Sequence, residues 1–435
     1  MSNLTLFRVD FGSDIGMGHL MRSLVYAKRF DEIIYISKSD KKKFVPYELV
    51  TIQNEEEFFE YVKKLHPIQV VVDNYNFTLE DEKKFKKRFP HIKLSVFDDD
   101  YREHHCDEII NHNISADISK YPNPDIVTII PPLIREEFHK EKAIQREKIY
   151  DVFVAMGGTD AANLNVAILK ALPKSFKIAL VTTSANVHLQ ELKEFVQNRS
   201  NVTLHIDSNE IAKVMNQSKL AIITPSVILH EVLFMELPFI AIQTAPNQNE
   251  IANYLKKRGY PLLQKFERTP FLEEFWRQIA NRLLLLDFRE LSDKERTMVL
   301  EWRNDPEIRK WMRNRQPISL KEHQRFIASL QRSEEKRYFV VKESEEYIGV
   351  VDFTDINRNQ KSAFFGVYAN PTSKKRGLGS KLLASLINYA KEELGLKLLR
   401  LEVLKSNEKA IALYKKFGFI EYKQEAEYIY MELRL

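Results

Sequence analysis

The chain has 435 residues and a formal net charge of +5, with 44% hydrophobic and 29% charged residues. This balance is typical of a folded, soluble protein and excludes disorder as the main state. The modest positive charge favours local sites for small anions over a nucleic-acid-binding face, so we expect no nucleic-acid partner. At about 150 residues per domain, the length predicts about three domains.

The sequence contains neither an obvious membrane span nor a disulfide framework. No stretch approaches the roughly 20 apolar residues that cross a bilayer. The start, MSNLTLFRVDFGSDIG, has no basic leader and no apolar signal core. We therefore expect a cytoplasmic protein without a membrane partner. Cys106 is the one cysteine, which excludes an intramolecular disulfide and a thiolate zinc site.

Two clusters contain the residue types that metals bind. His104, His105 and His112 lie near Cys106, but their spacing is not that of a structural zinc site. Asp98–Asp100 could bind magnesium, although an acidic turn at the end of a strand is the simpler interpretation. We therefore expect no metal site.

Short apolar strands alternate with charged helical segments over the first two thirds of the chain. The strand LTLFRVDF, a glycine loop and a helix come first, followed by strands at IIYIS, IQVVVDNY, IKLSVFDD and DEIINHN. The pattern restarts with IYDVFVAMGG, FKIALVTT, NVTLHI, KLAIIT and LPFIAIQ. This alternation predicts two Rossmann-type α/β domains, at residues 1–146 and 147–283. Ligands of such a pair bind in the cleft, at the carboxyl ends of the strands.

Residues 284–435 have a different, α+β pattern. Two helical regions precede the antiparallel-looking strands RYFVVKES, YIGVVDFTDI and KSAFFGVYAN. The helix KLLASLINYAKEEL, the strand LLRLEVL, the helix NEKAIALYKKF and a terminal strand around EYIYMELRL follow. We therefore expect a third domain with a mixed sheet.

A basic glycine loop lies between a strand and the long helix of this third domain. Its residues are Lys374, Lys375, Arg376, Gly377, Leu378, Gly379 and Ser380. The glycines let the backbone approach a pyrophosphate, although a solvated turn would have the same composition. About thirty residues later come Asn407 and the run AIALYKKFGF. This ordered combination resembles the GNAT family of acetyl-CoA-dependent N-acetyltransferases over roughly residues 286–430.

The GNAT resemblance implies acetyl-CoA as cosubstrate and a role for several residues. The glycine loop binds the CoA pyrophosphate, and backbone amides around Val367 hold the oxyanion. Tyr414 gives a proton to the departing thiolate, or merely packs on the terminal strand. Glu402 is a base, or it faces solvent or pairs with Arg400. Asn407 caps a helix and can also contact CoA.

Three strand ends of the first two domains lead into loops suited to anions. The first is Gly16-Met17-Gly18-His19, before a helix that carries Arg22. Here His19 is a base or only a capping residue. The second contains Gly158, Thr159 and Asp160, and the third contains Ser226, before a helix that carries Glu231. A carboxylate such as Glu231 can accept hydrogen bonds from both ribose hydroxyls, although an ordinary helix surface is the alternative.

Further motifs extend this pattern: Asp73-Asn74-Tyr75, the Asp98–Asp100 run, INHN, Arg135-Glu136-Glu137-Phe138 and Pro246-Asn247-Gln248. Together with the three loops they resemble the UDP-sugar hydrolases of pseudaminic acid biosynthesis, which are related to a GT-B glycosyltransferase. The resemblance implies inverting, metal-independent hydrolysis of UDP-2,4-diacetamido-2,4,6-trideoxy-β-L-altropyranose at the anomeric C–O bond. It implies that His19 activates water and that the substrate-binding residues are Gly18, Arg22, Tyr75, Arg135, Gly158, Thr159, Asp160, Ser226, Glu231, Asn247 and Gln248.

The two resemblances imply consecutive reactions on one nucleotide sugar. N4-acetylation of UDP-4-amino-4,6-dideoxy-β-L-AltNAc would produce the substrate of the hydrolase. We therefore predict a bifunctional enzyme of pseudaminic acid biosynthesis. The alternatives are a GT-B glycosyltransferase fused to an acetyltransferase for another amino sugar, and a regulator that binds nucleotide sugars without catalysis. The sequence leaves open the exact sugar, the oligomeric state and any channelling of the intermediate.

Overall fold

A computed structural model describes residues 3–12, 17–39 and 42–435. The chain divides into two compact units, Met1–Phe271 (unit 1) and Leu272–Leu435 (unit 2). In the described part of the chain, none of the helices combines the length and the apolar composition that a bilayer crossing requires.

Unit 1 contains two parallel sheets with helices between the strands. The described strands of its first sheet are β1 (Leu4–Val9), β2 (Glu32–Ser37), β3 (Glu48–Thr51), β4 (Gln69–Asp73), β5 (Lys93–Phe97), β6 (Glu108–Asn111) and β7 (Val127–Ile129). Its helices are α1 (Gly18–Ala27), α2 (Glu55–Leu65) and α3 (Leu79–Arg88), whereas α4 (Glu136–Lys142) follows β7 and packs in the core of the second sheet. The strand order β3-β2-β1-β4-β5-β6-β7 reverses between β1 and β4. A ligand crevice is expected at the carboxyl ends of these two strands.

The second sheet of unit 1 repeats this design. Its strands are β8 (Val152–Ala155), β9 (Ile178–Thr182), β10 (Val202–Ile206), β11 (Ala221–Ile223), β12 (Phe239–Ile242) and β13 (Leu262–Leu263). The helices are α5 (Leu164–Ala171), α6 (Leu189–Gln197), α7 (Ile211–Asn216), α8 (Val227–Phe234) and α9 (Asn249–Lys257), and α10 (Arg268–Ala280) follows. The order β10-β9-β8-β11-β12-β13 reverses between β8 and β11, so the loops after these strands face a second crevice.

Unit 2 is built on one mixed sheet. Its strands are β14 (Leu283–Asp287), β15 (Arg337–Glu343), β16 (Glu346–Asn357), β17 (Ser362–Ala369), β18 (Leu398–Leu404), β19 (Ile420–Gln424) and β20 (Tyr428–Arg434). The helices are α11 (Asp293–Asn304), α12 (Pro306–Arg309), α13 (Leu320–Leu330), α14 (Leu378–Glu392) and α15 (Glu408–Lys416). The order is β14-β15-β16-β17-β18-β20-β19, and β17 and β18 are the parallel neighbours in this sheet. Their pairing ends at Phe364 and Arg400, so the two strands separate beyond these residues.

Buried apolar residues cover both faces of the first sheet. Phe58 and Phe85, from α2 and α3, are fully buried on one face. Leu20 of α1 packs with Tyr35 on the other face. This burial explains why the strands of unit 1 have nearly continuous apolar sequences.

The predicted fold class is confirmed: two Rossmann-type sheets precede a mixed GNAT-like sheet. The sequence did not predict the strands β3, β7, β13 and β19. They are short or exposed, and β13 has only two residues, so their apolar pattern is weak. The domain boundaries after residues 146 and 283 stay predictions.

A buried ion network joins α3 to the segment after β5. Nδ1 of His104 lies 2.7 Å from Oε1 of Glu82, and Nε2 lies 3.5 Å from Oδ1 of Asp98. Burial alone would lower the pKa of His104, but the two carboxylates raise it to about 9. His104 is thus a charged residue that stabilises the fold. Among residues 3–12, 17–39 and 42–435, no group of three His, Cys, Asp or Glu side chains is arranged to hold a metal ion.

The His104 network predicts a pH-dependent stability. Because its pKa is raised above the ordinary value, the charged imidazole stabilises the fold fully below about pH 6.5, and this stabilisation is lost as the pH rises through about 9. We expect the free energy of unfolding to fall by up to about 3 kcal/mol across this window, measured by urea unfolding. His104→Gln should remove most of this dependence, and an unchanged slope in the variant would contradict the assignment.

Candidate active sites

Asp73 is a fully buried carboxylate at the carboxyl end of β4, beside the reversal of strand order. Nδ1 of His19 lies 2.6 Å from Oδ1 of Asp73, and an ionised carboxylate can only accept this hydrogen bond. Arg22 donates to both oxygens, from Nη2 over 2.6 Å and from Nε over 2.7 Å. Burial alone would raise the pKa of Asp73, but Arg22 and His19 lower it. The ionised carboxylate therefore orients His19 with Nε2 as the ring atom that remains for another partner.

Tyr75 lies against the same histidine. The ring centroids of Tyr75 and His19 are 4.6 Å apart, and the rings are nearly perpendicular. Oη of Tyr75 donates to Oδ1 of Asp99 over 2.6 Å, and Nη1 of Arg22 donates to Oδ2 over 2.9 Å. Burial, followed by the negative charge of Asp99, raises the pKa of Tyr75 and keeps the phenol neutral. Three predicted residues, His19, Arg22 and Tyr75, thus lie together.

Asp73 and Asp99 hold this group together, although the sequence analysis gave neither a role. Each aspartate directly follows an apolar strand, IQVVV for Asp73 and IKLSVFD for Asp99. The position of these carboxylates at the ends of strands could have identified them as residues that position others. The partners His19, Arg22 and Tyr75 were not visible because they lie 24 to 77 positions away along the chain.

A cavity of about 270 Å³ lies between the two sheets of unit 1. The predicted residues that line it are Gly18, Arg135, Gly158, Ser226 and Glu231. The segment Thr182–Ala185 after β9 also lines it, which the sequence analysis missed although this segment follows a predicted strand. Gly157 has φ of +86°, a conformation that favours glycine and turns the loop towards this cavity.

Glu231 is buried in this cavity wall, with 1% of its surface exposed, so the interpretation as ordinary helix surface is wrong. Arg135 donates from Nε to Oε1 over 2.6 Å and from Nη2 to Oε2 over 2.9 Å. Burial raises the pKa of Glu231, and Arg135 offsets part of this effect. Ser226 precedes α8 and makes no capping hydrogen bond with its side chain. Its hydroxyl is therefore available to a ligand.

Four other predicted substrate residues do not line this cavity. The carboxylate of Asp160 accepts hydrogen bonds from the amides of Leu164 and Asn165 and caps α5. Oε1 of Gln248 accepts from the amide of Thr244 over 2.8 Å. Thr159 accepts a backbone hydrogen bond from Val187, and Asn247 is exposed. Their substrate contacts stay predictions, and Gly16 lies outside the described residues.

The separation of β17 from β18 in unit 2 opens the sheet around Val367. Tyr414 of α15 lies near this opening and is 8% exposed. Its ring packs edge-on against Phe365 and Phe419, with centroids 5.9 and 5.8 Å apart. Burial, followed by the nearby charge of Asp352, raises the pKa of Tyr414. Tyr414 is thus both a packing residue and a neutral phenol that can donate a proton.

The glycine loop leads directly into α14. Gly377 has φ of +83° at the helix start, which lets the chain turn into the helix. The amides of Leu378 and Gly379 precede the first helical hydrogen bond, the geometry that suits an anion. The remaining loop residues surround this point: Lys374, Lys375 and Arg376 are exposed, and Ser380 is buried. Asn407 caps α15 by accepting from the amide of Ala410 over 3.2 Å.

A second cavity, of about 770 Å³, lies in unit 2. Asp352, Tyr368, Arg303 and Glu402 are among the residues that line it. Both carboxylate oxygens of Glu402 accept hydrogen bonds from the guanidinium group of Arg313. The predicted pairing of Glu402 with an arginine is therefore present, but the partner differs from the expected Arg400, which lies 3.5 Å from Glu432.

Comparisons with known proteins match each part of the chain separately. Residues 282–420 match the Acetyltransferase (GNAT) domain family. Over 277 residues, 60% of this chain, the sequence is 35% identical to the UDP-2,4-diacetamido-2,4,6-trideoxy-beta-L-altropyranose hydrolase of Campylobacter jejuni subsp. jejuni serotype O:2, of which 99% is covered. Over 150 residues, 34% of this chain, it is 37% identical to Acetyltransferase PseH of Campylobacter jejuni subsp. jejuni serotype O:23/36, of which 92% is covered.

A third relative contains both parts in one chain. The protein MJ1062 of Methanocaldococcus jannaschii is 22% identical over 97% of this chain and 98% of its own length. The parallel sheets of unit 1 and the mixed sheet of unit 2 agree with the two separate matches. The chain belongs to the family of the UDP-2,4-diacetamido-2,4,6-trideoxy-β-L-altropyranose hydrolase through its N-terminal part and to the GNAT acetyltransferases through its C-terminal part.

Proposed function

We propose that the chain is a bifunctional enzyme of pseudaminic acid biosynthesis. Unit 2 transfers an acetyl group from acetyl-CoA to N4 of UDP-4-amino-4,6-dideoxy-β-L-AltNAc. Unit 1 hydrolyses the product, UDP-2,4-diacetamido-2,4,6-trideoxy-β-L-altropyranose, to free sugar and UDP. The observation that carries this proposal is His19, oriented by Asp73 beside Tyr75, in a sequence that covers 99% of such a hydrolase.

In the hydrolase step, His19 accepts a proton from water at Nε2 while Asp73 holds Nδ1. The water oxygen bonds to the anomeric carbon as the bond from that carbon to the UDP oxygen breaks, with inversion. Tyr75 and Asn247 lie on the sugar side. The cavity lined by Arg135 and Ser226 receives the nucleotide. No metal ion takes part.

In the acetyltransferase step, the loop Lys374–Ser380 binds the CoA pyrophosphate through helix amides and cations. Asn407 adds a further CoA contact. Backbone amides around Val367 stabilise the oxyanion in the opening between β17 and β18. Tyr414 protonates the sulfur of the leaving thiolate. Glu402 is one candidate base in the cavity of unit 2, but its ion pair with Arg313 leaves it little capacity for a proton.

One incubation tests the proposal against its rivals. The purified chain is incubated with the UDP-4-amino sugar, acetyl-CoA and EDTA in the absence of an acceptor sugar. The reaction is followed by NMR. We expect a new 4-acetamido signal first and then free sugar and UDP. UDP release only after addition of an acceptor sugar would favour a glycosyltransferase. Binding without any product would favour a regulator.

The first variant pair tests the histidine site. We expect His19→Ala to abolish UDP release from the acetylated substrate, and Asp73→Asn to reduce it by about 100- to 10,000-fold, because the ring loses its orientation. Acetyl transfer should stay near normal, since the residues assigned to that step all belong to unit 2. His91→Ala, at an exposed histidine of the same unit, is the matched control. UDP release and acetyl transfer are measured separately, and retained hydrolysis in His19→Ala would remove His19 from the mechanism.

The second variant tests proton donation by Tyr414. Tyr414→Phe keeps the ring and its contacts with Phe365 but deletes the hydroxyl. We expect acetyl-transfer turnover to fall by about 10- to 1,000-fold with little change in CoA binding. Tyr422→Phe, at an exposed tyrosine of β19, should have wild-type turnover. Unaltered turnover in Tyr414→Phe would mean that another group protonates the thiolate.

A third prediction concerns the order of the two steps. Before acetylation the C4 nitrogen is largely an ammonium group, whereas afterwards it is a neutral amide. When the ammonium group enters a pocket built for the amide, polar groups of the pocket are left without hydrogen-bond partners. The charge of the ammonium group must also be removed from water. We therefore expect much slower UDP release from the amino sugar without acetyl-CoA than with it, with Tyr414→Phe as the control. Equal rates would show that unit 1 does not distinguish the two groups.

A further inference from the structure

The carboxylate of Asp352 lies directly over a glycine in the neighbouring strand. Asp352 of β16 is opposite Gly366 of β17. A Cβ atom at residue 366 would lie 2.5 Å from Oδ2 and 3.1 Å from Cγ of Asp352, so any larger residue would displace this carboxylate. The amide of Gly366 also donates a hydrogen bond to the Asp352 side chain. Gly366 thus holds the carboxylate at the segment of β17 that separates from β18.

Asp352 lines the large cavity of unit 2 without a cationic partner. Among the residues that the structure describes, no lysine or arginine forms an ion pair with it. Its charge acts on Tyr338 of β15, Tyr368 of β17 and Tyr414 of α15. Further titratable or charged residues that line this cavity are Arg313, Glu322, His323, Asp355, Glu402 and Tyr430. Arg303 of α11 lines the same cavity and acts on Tyr368. Burial raises the pKa of Asp352 to about 7, with a small opposing effect of the Gly366 amide.

Glu402 lines the same cavity but differs in its surroundings. Its two oxygens already accept hydrogen bonds from the guanidinium group of Arg313. A carboxylate paired in this way has little capacity left for a second cation or for a proton. Two further carboxylates that line this cavity, Glu322 and Asp355, are exposed. Among the four, Glu402 is neutralised by Arg313, and Asp352 is the half-buried carboxylate without a cation.

We propose that Asp352 binds the ammonium group of the amino sugar and accepts a proton from it before acetyl transfer. This inference rests on the proposed acetyltransferase function. One N–H bond of the ammonium breaks and its proton moves to the Asp352 carboxylate. The nitrogen lone pair then forms the bond to the thioester carbonyl carbon, and the C–S bond breaks. Asp352 later releases its proton to solvent.

The remaining protons balance. The ammonium nitrogen has three, of which the amide keeps one and Asp352 takes one. The third proton leaves the nitrogen for solvent as the amide forms. The sulfur takes a proton from Tyr414, and Tyr414 is then reprotonated from solvent. Asp352 thus acts as the base and the phenol of Tyr414 acts as the acid.

The test measures kcat and KM for acetyl transfer to the UDP-4-amino sugar from pH 5.5 to 9.5 for the wild-type chain and its variants. We expect Asp352→Asn to lower kcat by about 100- to 10,000-fold with an unchanged KM for acetyl-CoA. The wild-type limb with a midpoint near pH 7 should be replaced by a limb at higher pH, where the residual rate follows formation of the free amine.

Two further variants distinguish Asp352 from Glu402 and from a folding defect. Gly366→Ala retains every charge but displaces the carboxylate, so it should also lower kcat. Glu402→Gln should lower kcat less than about 10-fold and keep the pH profile. Asp293→Asn, at an exposed carboxylate of α11, is the matched control. Thermal melting and UDP release from the acetylated substrate report folding of the two units.

Three outcomes overturn the inference. A wild-type pH profile in Asp352→Asn excludes Asp352 as the proton acceptor, and loss of the low-pH limb in Glu402→Gln assigns that role to Glu402. Either result leaves the acetyltransferase function intact, because the wild-type chain is still active. Absence of acetyl transfer in the wild-type chain overturns the proposed function itself.

Discussion

A carboxylate that is buried away from water is stable only with hydrogen-bond donors or cations around it. Asp73 of unit 1 is such a carboxylate. It has no exposed surface, and its two oxygens bind His19 and Arg22. Arg22 then reaches Asp99, which in turn holds Tyr75. One desolvated charge therefore positions His19 and Arg22 directly and Tyr75 through Asp99.

The cavity of unit 2 is lined by two half-buried carboxylates that differ in their partners. Glu402 is neutralised by Arg313, whereas Asp352 receives one backbone hydrogen bond and no cation. The cost of burying an unpaired charge appears as a raised pKa, which brings Asp352 close to neutral pH. A group that titrates near the working pH is suited to proton transfer, and a permanently paired group is suited to structure.

The alternation of apolar strands and charged helices was enough to predict the sheets, and the glycine loops marked the strand ends that line both sites. The long-range partners were not predictable in this way. Arg135 and Glu231 are 96 positions apart, and their ion pair exists because α4 packs in the same core as α8. The contact of Asp352 with Gly366 depends on strand register, which the amino-acid pattern of a single strand does not specify. The same limit explains why Arg400 was expected beside Glu402 instead of Arg313.

The proposed mechanism requires water to attack the anomeric carbon, directed by His19, after unit 2 has acetylated the sugar. Reaction of the UDP-4-amino sugar and acetyl-CoA in water enriched in oxygen-18 tests this requirement, with the products analysed by mass spectrometry. We expect a diacetamido sugar that carries oxygen-18 at its anomeric carbon and UDP that carries none. Oxygen-18 in the phosphate of UDP would show attack at phosphorus and would contradict the assignment of His19 and Tyr75 to the sugar side.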